Sequence, residues 1–184
     1  MVREFKENER SVIIWVGNLA NYDSFKFIVE SDTRFEKDEI LIITDASSPC
    51  SVKLNHSNYS VEQWTEEWSD KLTEGVDYYM ILNHDDPTSK DSKYKSENKM
   101  VTAICRFIMP VVSDTKAYQE LATLLNAEFL IFNDKVKAYD VIEYLRNQKL
   151  GWRKDFYINS YKYIYKKYNK NFISKKVLRL MGAN

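Results

Sequence analysis

Four polar residues in a short segment, Lys95, Ser96, Asn98 and Lys99, have the chemistry of a phosphate-binding site. The apolar spacing that follows predicts a helix over residues 96–107 that begins at Ser96. A helix N-terminus offers unpaired backbone N–H groups and a partial positive charge, which favour a bound anion. Lysines at that end oppose the helix dipole unless an anion is present. The alternative is that both lysines are ordinary surface residues.

A second polar group, His84-Asp85-Asp86, follows a predicted strand and could hold a hard divalent cation through its carboxylates. A solvated strand end accounts for the same residues. The sequence has no GxxxxGK[ST], GxGxxG, GxSxG or HExxH motif, and its two histidines are too few for a histidine-rich metal site. We therefore expect no metal and no cofactor. A metal-dependent enzyme acting on phosphate esters through Asp85 and Asp86 is kept as an alternative.

The segments that would position these residues alternate between apolar runs and amphipathic stretches. Apolar runs predict strands at residues 11–16, 39–45, 59–63, 76–83, 110–113 and 128–132. Helical spacing predicts helices at 22–35, 65–74, 96–107, 116–125 and 135–148. This alternation predicts an α/β fold with a doubly wound, mostly parallel, Rossmann-like sheet over residues 1–150. Such sheets bind ligands at the carboxyl ends of their strands.

The composition is that of a folded globular protein, with 44 % apolar and 29 % charged residues among 184. No apolar run approaches the roughly 20 residues that span a bilayer, and the N-terminus lacks an apolar signal core. Two cysteines are too few for a disulfide framework. We therefore expect a cytoplasmic protein.

Residues 151–184 differ in charge from the rest of the chain. They contain nine Lys or Arg and one Asp, a formal charge of +8 in a protein with no net charge. Gly151 predicts a helix stop, and a stripe of aromatic and aliphatic side chains follows at helical spacing: Tyr157, Tyr161, Ile164, Tyr165 and Tyr168. The stripe either docks on the sheet domain or makes peripheral contact with the inner face of an anionic membrane. No nucleic-acid-recognition motif accompanies the charge, so we expect no nucleic-acid partner.

Three stretches of the chain resemble a known family. KSENK…A…MPVVSDTKAYQEL looks like the KSxNR…A…GxPVV…YxEL stretch in the C-terminal, nucleotide-sugar-binding half of GT-B glycosyltransferases, near glycosyltransferase family 4. IIWVGNLANYDSFKFI is similar to the opening strand, glycine and helix of that half. AEFLIFND…VIEYLRNQKLGWRK resembles its last strand and the helices after it. The resemblance covers roughly residues 11–180 and implies a single GT-B half with C-terminal helices.

The resemblance implies a glycosyltransferase domain that binds a UDP- or GDP-sugar donor for glycan biosynthesis, with retaining chemistry and no obligatory metal. The donor diphosphate would lie at the start of helix 96–107, against Lys95, Ser96, Asn98 and Lys99. The turn at Gly17 and Asn18 would border the same cleft. Ser113 and Asp114 would lie near the sugar or the phosphate.

The chain departs from the family pattern at three places. Tyr94 and Thr102 stand where the family has paired glutamates, which removes the expected ribose contact and a sugar contact; the catalytic residue is unknown. Lys99 replaces an arginine and loses its bidentate fork, and Phe107-Ile108-Met109 replaces the glycine before the proline.

A GT-B enzyme also needs an N-terminal, acceptor-binding half. We therefore expect this chain to be a fragment, a subunit completed by another polypeptide or a degenerate binding domain, and to be inactive or barely active alone. The alternative function is a non-catalytic α/β interaction module whose basic tail docks on a membrane or a partner.

Overall fold

Six parallel strands form one sheet in the computed structural model, which describes residues 10–45, 52–73, 76–83 and 96–168. The strands are β1 (Ser11–Gly17), β2 (Glu39–Thr44), β3 (Tyr59–Gln63), β4 (Asp77–Leu82), β5 (Met109–Ser113) and β6 (Ile131–Phe132). Each pairs in parallel with its neighbours. β1, β4 and β5 are buried along most of their length, which explains their nearly continuous apolar sequences.

Five α-helices are described: α1 (Tyr22–Glu30), α2 (Asn98–Cys105), α3 (Lys116–Leu125), α4 (Ala138–Arg146) and α5 (Leu150–Tyr168). Short 3-10 turns lie at Leu19–Asn21, Thr33–Lys37, Trp68–Lys71 and Glu128–Leu130. α1 and α4 share one face of the sheet, where the rings of Phe35 and Tyr139 meet edge to face at 4.8 Å. α5 packs on α2 and α3 on the opposite face, with Tyr157 edge-on to Phe107.

The strand order is β3-β2-β1-β4-β5-β6, so the order reverses between β1 and β4. This arrangement, with helices on both faces, confirms the predicted doubly wound, Rossmann-like α/β fold. In sheets of this kind a crevice forms outside the carboxyl ends of the two strands at the reversal. A ligand site is therefore expected at the crevice between β1 and β4.

Several predicted boundaries are wrong. The segment 65–74 was expected to be helical, but its described part contains only the 3-10 turn Trp68–Lys71, which is enough to bury Trp68. Glu128–Leu130 forms a 3-10 turn, which leaves only Ile131–Phe132 as strand. The ring of Phe129, which lies in this turn, packs on Trp152 of α5.

Gly151 does not end a helix. It is the second residue of α5, and no atom lies within 4 Å of where a Cβ would stand. The helix continues through the glycine because Trp152 and Phe156 anchor this turn by stacking on each other and packing against Phe129.

Candidate functional site

A row of small and polar residues lies along the carboxyl edge of the sheet. Gly17 at the end of β1 is paired with Thr44 of β2. Asn83 directly follows β4, and Ser113 ends β5, whose Val112 pairs with Leu82. These positions lie side by side because the strands are parallel and in register. The row crosses the crevice between β1 and β4.

Glycine is required at position 17 by the close approach of the Trp15 ring from the same strand, not by a ligand. A Cβ at this position would lie 2.5 Å from the Cζ2 atom of Trp15, far inside normal contact distance. The Trp15 indole is 2 % exposed and is stacked on Phe25 of α1, with ring centroids 5.4 Å apart. Gly17 therefore lies at the carboxyl end of β1, where the strand order reverses, and its close approach is to tryptophan.

Asn83 connects both sides of the crevice. Its Oδ1 accepts a hydrogen bond of 3.0 Å from Trp15 Nε1, and its Nδ2 donates to Ser24 Oγ at 2.5 Å. The side chain is 8 % exposed, so these bonds join β4, β1 and α1 inside the protein. We did not predict a role for Asn83. The signal was present, since an asparagine directly follows a buried apolar strand.

The start of α2 differs from the prediction. The helix begins at Asn98, and the cap position is held by Glu97, whose side chain makes no capping hydrogen bond. Ser96 is exposed and lies before the cap, so the prediction that the helix opens on Ser96 is wrong. Lys95, Tyr94 and His84-Asp85-Asp86 lie outside the described residues.

Lys99 joins the start of α2 to the end of β1. Its Nζ donates a hydrogen bond of 3.0 Å to the backbone carbonyl of Val16. The ammonium group therefore lies beside the turn at Gly17 and Asn18, across the strand reversal. Asn18 is exposed, and its Oδ1 accepts from Asn21 Nδ2 at 2.9 Å, which stabilises that turn. Three of the predicted residues, Gly17, Asn18 and Lys99, are thus brought together.

A carboxylate and a second lysine also lie at the start of α2. The Glu97 carboxylate accepts hydrogen bonds from Tyr168 Oη and, at 3.2 Å, from Lys167 Nζ. Burial alone would raise the pKa of Glu97, but these hydrogen bonds outweigh it and the pKa is lowered. Glu97 is therefore ionised beside Lys99. The end of α5 contributes a cation to this region that the sequence did not indicate.

Ser113 and Asp114 lie at the carboxyl end of β5. Ser113 is 6 % exposed, and its Oγ has no hydrogen-bond partner among the described residues. Asp114 is half-buried and accepts a hydrogen bond from Gln119 Nε2. Because buried hydroxyls are almost always paired, Ser113 Oγ points to a partner that is not protein.

A cavity of about 860 Å³ opens beside Ser113 and Asp114, between α1 and the loop that precedes α4. This volume is within the range of small-molecule sites. Its walls combine aromatic rings, from Phe27 and Phe132, with polar groups from Ser24, Asn133 and Asp134. Ser24 also bonds to Asn83, so this one residue belongs to both the cavity and the crevice.

Within the described ranges, no cluster of three His, Cys, Asp or Glu side chains is arranged to hold a metal ion. None of the described helices is both long enough and apolar enough to cross a bilayer. Comparison with models of protein families and with curated protein sequences found no match to this chain.

Proposed function

We propose that this chain binds a nucleotide-sugar donor at the carboxyl edge of its sheet, as one half of a GT-B glycosyltransferase. The observation that supports this proposal most strongly is that Ser24, which lines the cavity beside Ser113, is hydrogen-bonded to Asn83 at the carboxyl end of β4. A nucleotide sugar carries an anionic diphosphate between two polyhydroxylated rings. It therefore needs a cationic site next to a larger polar and aromatic one.

The diphosphate would lie between the end of β1 and the start of α2. Lys99 is exposed there, and the first backbone N–H groups of α2 have no partner within the helix. Lys167 adds a second positive charge at the same end. Glu97 reduces the net charge, so the donor must compete with this carboxylate for the Lys167 ammonium group.

One ring of the donor would occupy the cavity beside Ser113. Carboxylates accept hydrogen bonds from vicinal hydroxyls, and Asp114 and Asp134 are both on the cavity wall. Aromatic rings stack on the apolar faces of sugars and bases, which suits Phe27 and Phe132. Ser113 Oγ would obtain its missing partner from a ligand hydroxyl.

Glycosyl transfer itself would require the acceptor-binding half. In such a reaction the nucleoside diphosphate leaves, and positive charge with oriented N–H groups stabilises it. This chain supplies those groups, and the acceptor and its base would come from the partner. The chain alone is expected to bind the donor without turning it over.

Calorimetric titration of the chain with a panel of UDP- and GDP-sugars tests the proposal. At least one donor should bind, and Lys99→Ala should weaken it by about tenfold or more, since a hydrogen bond to a charged group contributes about 1.5–3 kcal/mol. Lys154→Ala is the matched control. Lys154 is an exposed lysine next to Arg153, and Arg153 pairs with Asp77 at the amino end of β4, so Lys154 lies toward the opposite edge of the sheet. Absence of heat with every donor would refute donor binding.

A second function, docking of α5 on an anionic membrane, is favoured by a different observation. Tyr161 and Tyr165 are stacked with centroids 6.2 Å apart and are 44 % and 60 % exposed. Exposed Lys162 and Lys166 flank them. Aromatic rings between lysines are typical of interfacial helices.

Vesicle flotation separates this function from donor binding. Tyr161→Ala with Tyr165→Ala should abolish flotation with anionic vesicles if α5 docks there, and should leave donor binding unchanged. Substitution is preferable to deletion of residues 151–184, because Tyr157 and Ile164 of α5 are buried in the core. Equal flotation of the double variant and the parent would exclude docking through this surface.

A further inference from the structure

A second cavity lies at the amino edge of the sheet, at the end opposite the crevice. It has a volume of about 540 Å³, and residues of β1, β2, β4, α4 and α5 line it. Three ion pairs surround it: Arg10–Glu39, Arg146–Asp38 and Arg153–Asp77. Each pair joins segments that are distant in the sequence. Taken alone, the ion pairs are explained by their role in holding these segments together.

What the ion pairs leave unexplained is a set of unpartnered buried atoms. Six buried side-chain nitrogen or oxygen atoms in the described ranges have no hydrogen-bond partner, and four belong to residues lining this cavity. They are Asp38 Oδ2, Tyr79 Oη, Arg146 Nε and Arg153 Nε. Asp38 is 6 % exposed and Tyr79 is 1 % exposed. Buried polar groups are rarely left unpaired, so four in one place call for a partner that is not protein.

The four atoms belong to one electrostatic environment. Burial raises the pKa of Tyr79 to about 12, and the charges of Asp77, Arg153, Arg146 and Asp38 also act on its hydroxyl. The phenol is therefore neutral at physiological pH and remains a donor. The Arg146 guanidinium lies 5.6 Å from the centre of the Tyr79 ring and is hydrogen-bonded to Asp38.

The chemistry of these atoms defines the ligand. Three of them, the two arginine Nε–H groups and the tyrosine hydroxyl, can donate to oxygen atoms of an anion. The fourth, Asp38 Oδ2, belongs to an acceptor-only carboxylate, so a ligand hydroxyl can donate to it. Arg10, Lys37, Arg146 and Arg153 outnumber the three carboxylates of the lining, which leaves the cavity positively charged.

We infer that this cavity binds a small oxyanion that also carries a hydroxyl donor, the chemistry of a protonated phosphate or a phosphate ester. The anion accepts hydrogen bonds from Arg146 Nε, Arg153 Nε and Tyr79 Oη, and a ligand hydroxyl donates to Asp38 Oδ2. The Arg10–Glu39 pair is the most exposed of the three, with the Arg10 side chain 63 % exposed. It is therefore the pair that can separate to admit the ligand. This site is independent of the crevice at the other edge.

Calorimetry and thermal melting of the full chain test the inference with three probes at equal ionic strength: inorganic phosphate, glycerol phosphate and sulfate. Phosphate should bind and raise the melting temperature near neutral pH. Sulfate, which has no hydroxyl donor there, should bind several-fold more weakly. Tighter binding of glycerol phosphate than of phosphate would identify an ester as the ligand, and equal binding would identify the free anion.

Two variants identify the atoms. Tyr79→Phe removes only the unpartnered hydroxyl and should weaken phosphate binding about fivefold, the loss of one ordinary net hydrogen bond. Arg153→Lys keeps the charge facing Asp77 but removes the Nε–H group, and it should have a similar effect if Tyr79→Phe fails to fold. Arg106→Lys, at the end of α2, is the control.

Equal responses to phosphate and sulfate, or unchanged phosphate binding in the folded variant, would overturn the inference. The unpartnered atoms would then be paired by water only.

Discussion

Gly17 shows how one residue fixes the shape of the candidate site. The Trp15 indole occupies the space beside it and donates to Asn83, so tryptophan, glycine and asparagine form one unit at the end of β1 and β4. The glycine leaves room for the indole, and the indole orients the asparagine. None of these three side chains needs to touch a ligand to determine where the crevice lies.

Gly17→Ala should destabilise the fold by about 1–3 kcal/mol, because the added methyl group overlaps the Trp15 ring and the strand must shift. Urea denaturation measures the change. Gly151→Ala is the matched control, since a Cβ there meets nothing within 4 Å and alanine favours helix. That variant should be as stable as the parent or more so. Equal effects of the two substitutions would contradict the assigned contact.

Asp32 is a residue through which low pH should reduce the stability of the fold. It is 8 % exposed, and hydrogen bonds from Arg34, one of them at 2.7 Å, lower its pKa below the usual 3.8 despite the opposing effect of burial. A lowered pKa in the folded state means that the stabilisation is complete above 3.8 and is lost as the pH falls through the folded-state value.

Asp32→Asn should therefore reduce stability at neutral pH and flatten the dependence of stability on pH below 3.8. Thermal melting of both proteins between neutral pH and about pH 3 measures this. Glu36→Gln is the control, because Glu36 is exposed. An unchanged slope in Asp32→Asn would show that the ion pair contributes nothing.

At the scale of elements, the end of α5 is fastened to the start of α2. Tyr168 and Lys167 both bond to the Glu97 carboxylate, and the Lys167 ammonium lies 5.0 Å from the Tyr168 ring centre. The basic helix is thus attached to the sheet domain at the proposed diphosphate site. This contact holds Lys167 and Tyr168 of α5 beside that site.

Tyr168→Phe should loosen this attachment. Loss of the hydroxyl removes one hydrogen bond to a charged group, so amide hydrogen exchange in the last turn of α5 and the first turn of α2 should become faster by about tenfold or more. Tyr165→Phe is the control, because Tyr165 is 60 % exposed. Identical exchange rates in the parent and Tyr168→Phe would disprove the role of the contact.

The elements that the sequence predicted well are those whose pattern reflects their own burial. β1, β2, β4 and β5 lie in the interior of the parallel sheet, and their continuous apolar runs follow from burial on both faces. The predicted strand over residues 128–130 is wrong because Leu130 is buried, and Phe129 partly buried, in a 3-10 turn and not in a strand. Asn126, with a φ of 52°, ends α3 in a left-handed conformation, and the next residues turn toward α5.

The candidate site was less predictable than the fold. Gly17 and Asn18 could be selected from the sequence because polar residues after strands meet at one edge of a parallel sheet, and Lys99 because it lies at a predicted helix start. Asn83 also follows a buried strand, but its bonds to Trp15 and Ser24 and the contact of Lys167 with Glu97 depend on tertiary packing, which the sequence does not show. The ion pairs of the amino edge also join residues far apart in sequence, such as Arg146 and Asp38.

In the whole molecule, the two edges of the sheet differ in their cavities and in their polar groups. The carboxyl edge has a crevice, a cavity and an unpartnered serine hydroxyl. The amino edge has three ion pairs around a polar cavity. α5 connects them, because the helix rises about 22 Å between Arg153, which pairs with Asp77, and Tyr168, which bonds to Glu97.

The central claim, that the carboxyl edge binds a nucleotide sugar, is tested most directly by amide NMR spectra recorded during titration with the donor that binds in calorimetry. The structure predicts that the shifted resonances are concentrated at three places: Gly17 and Asn18, Asn98 and Lys99, and Ser113 and Asp114. Lys99→Ala should reduce the shifts at all three at equal donor concentration. Shifts confined to the amino edge, around Asp38 and Asp77, or spread evenly over the surface would contradict the claim.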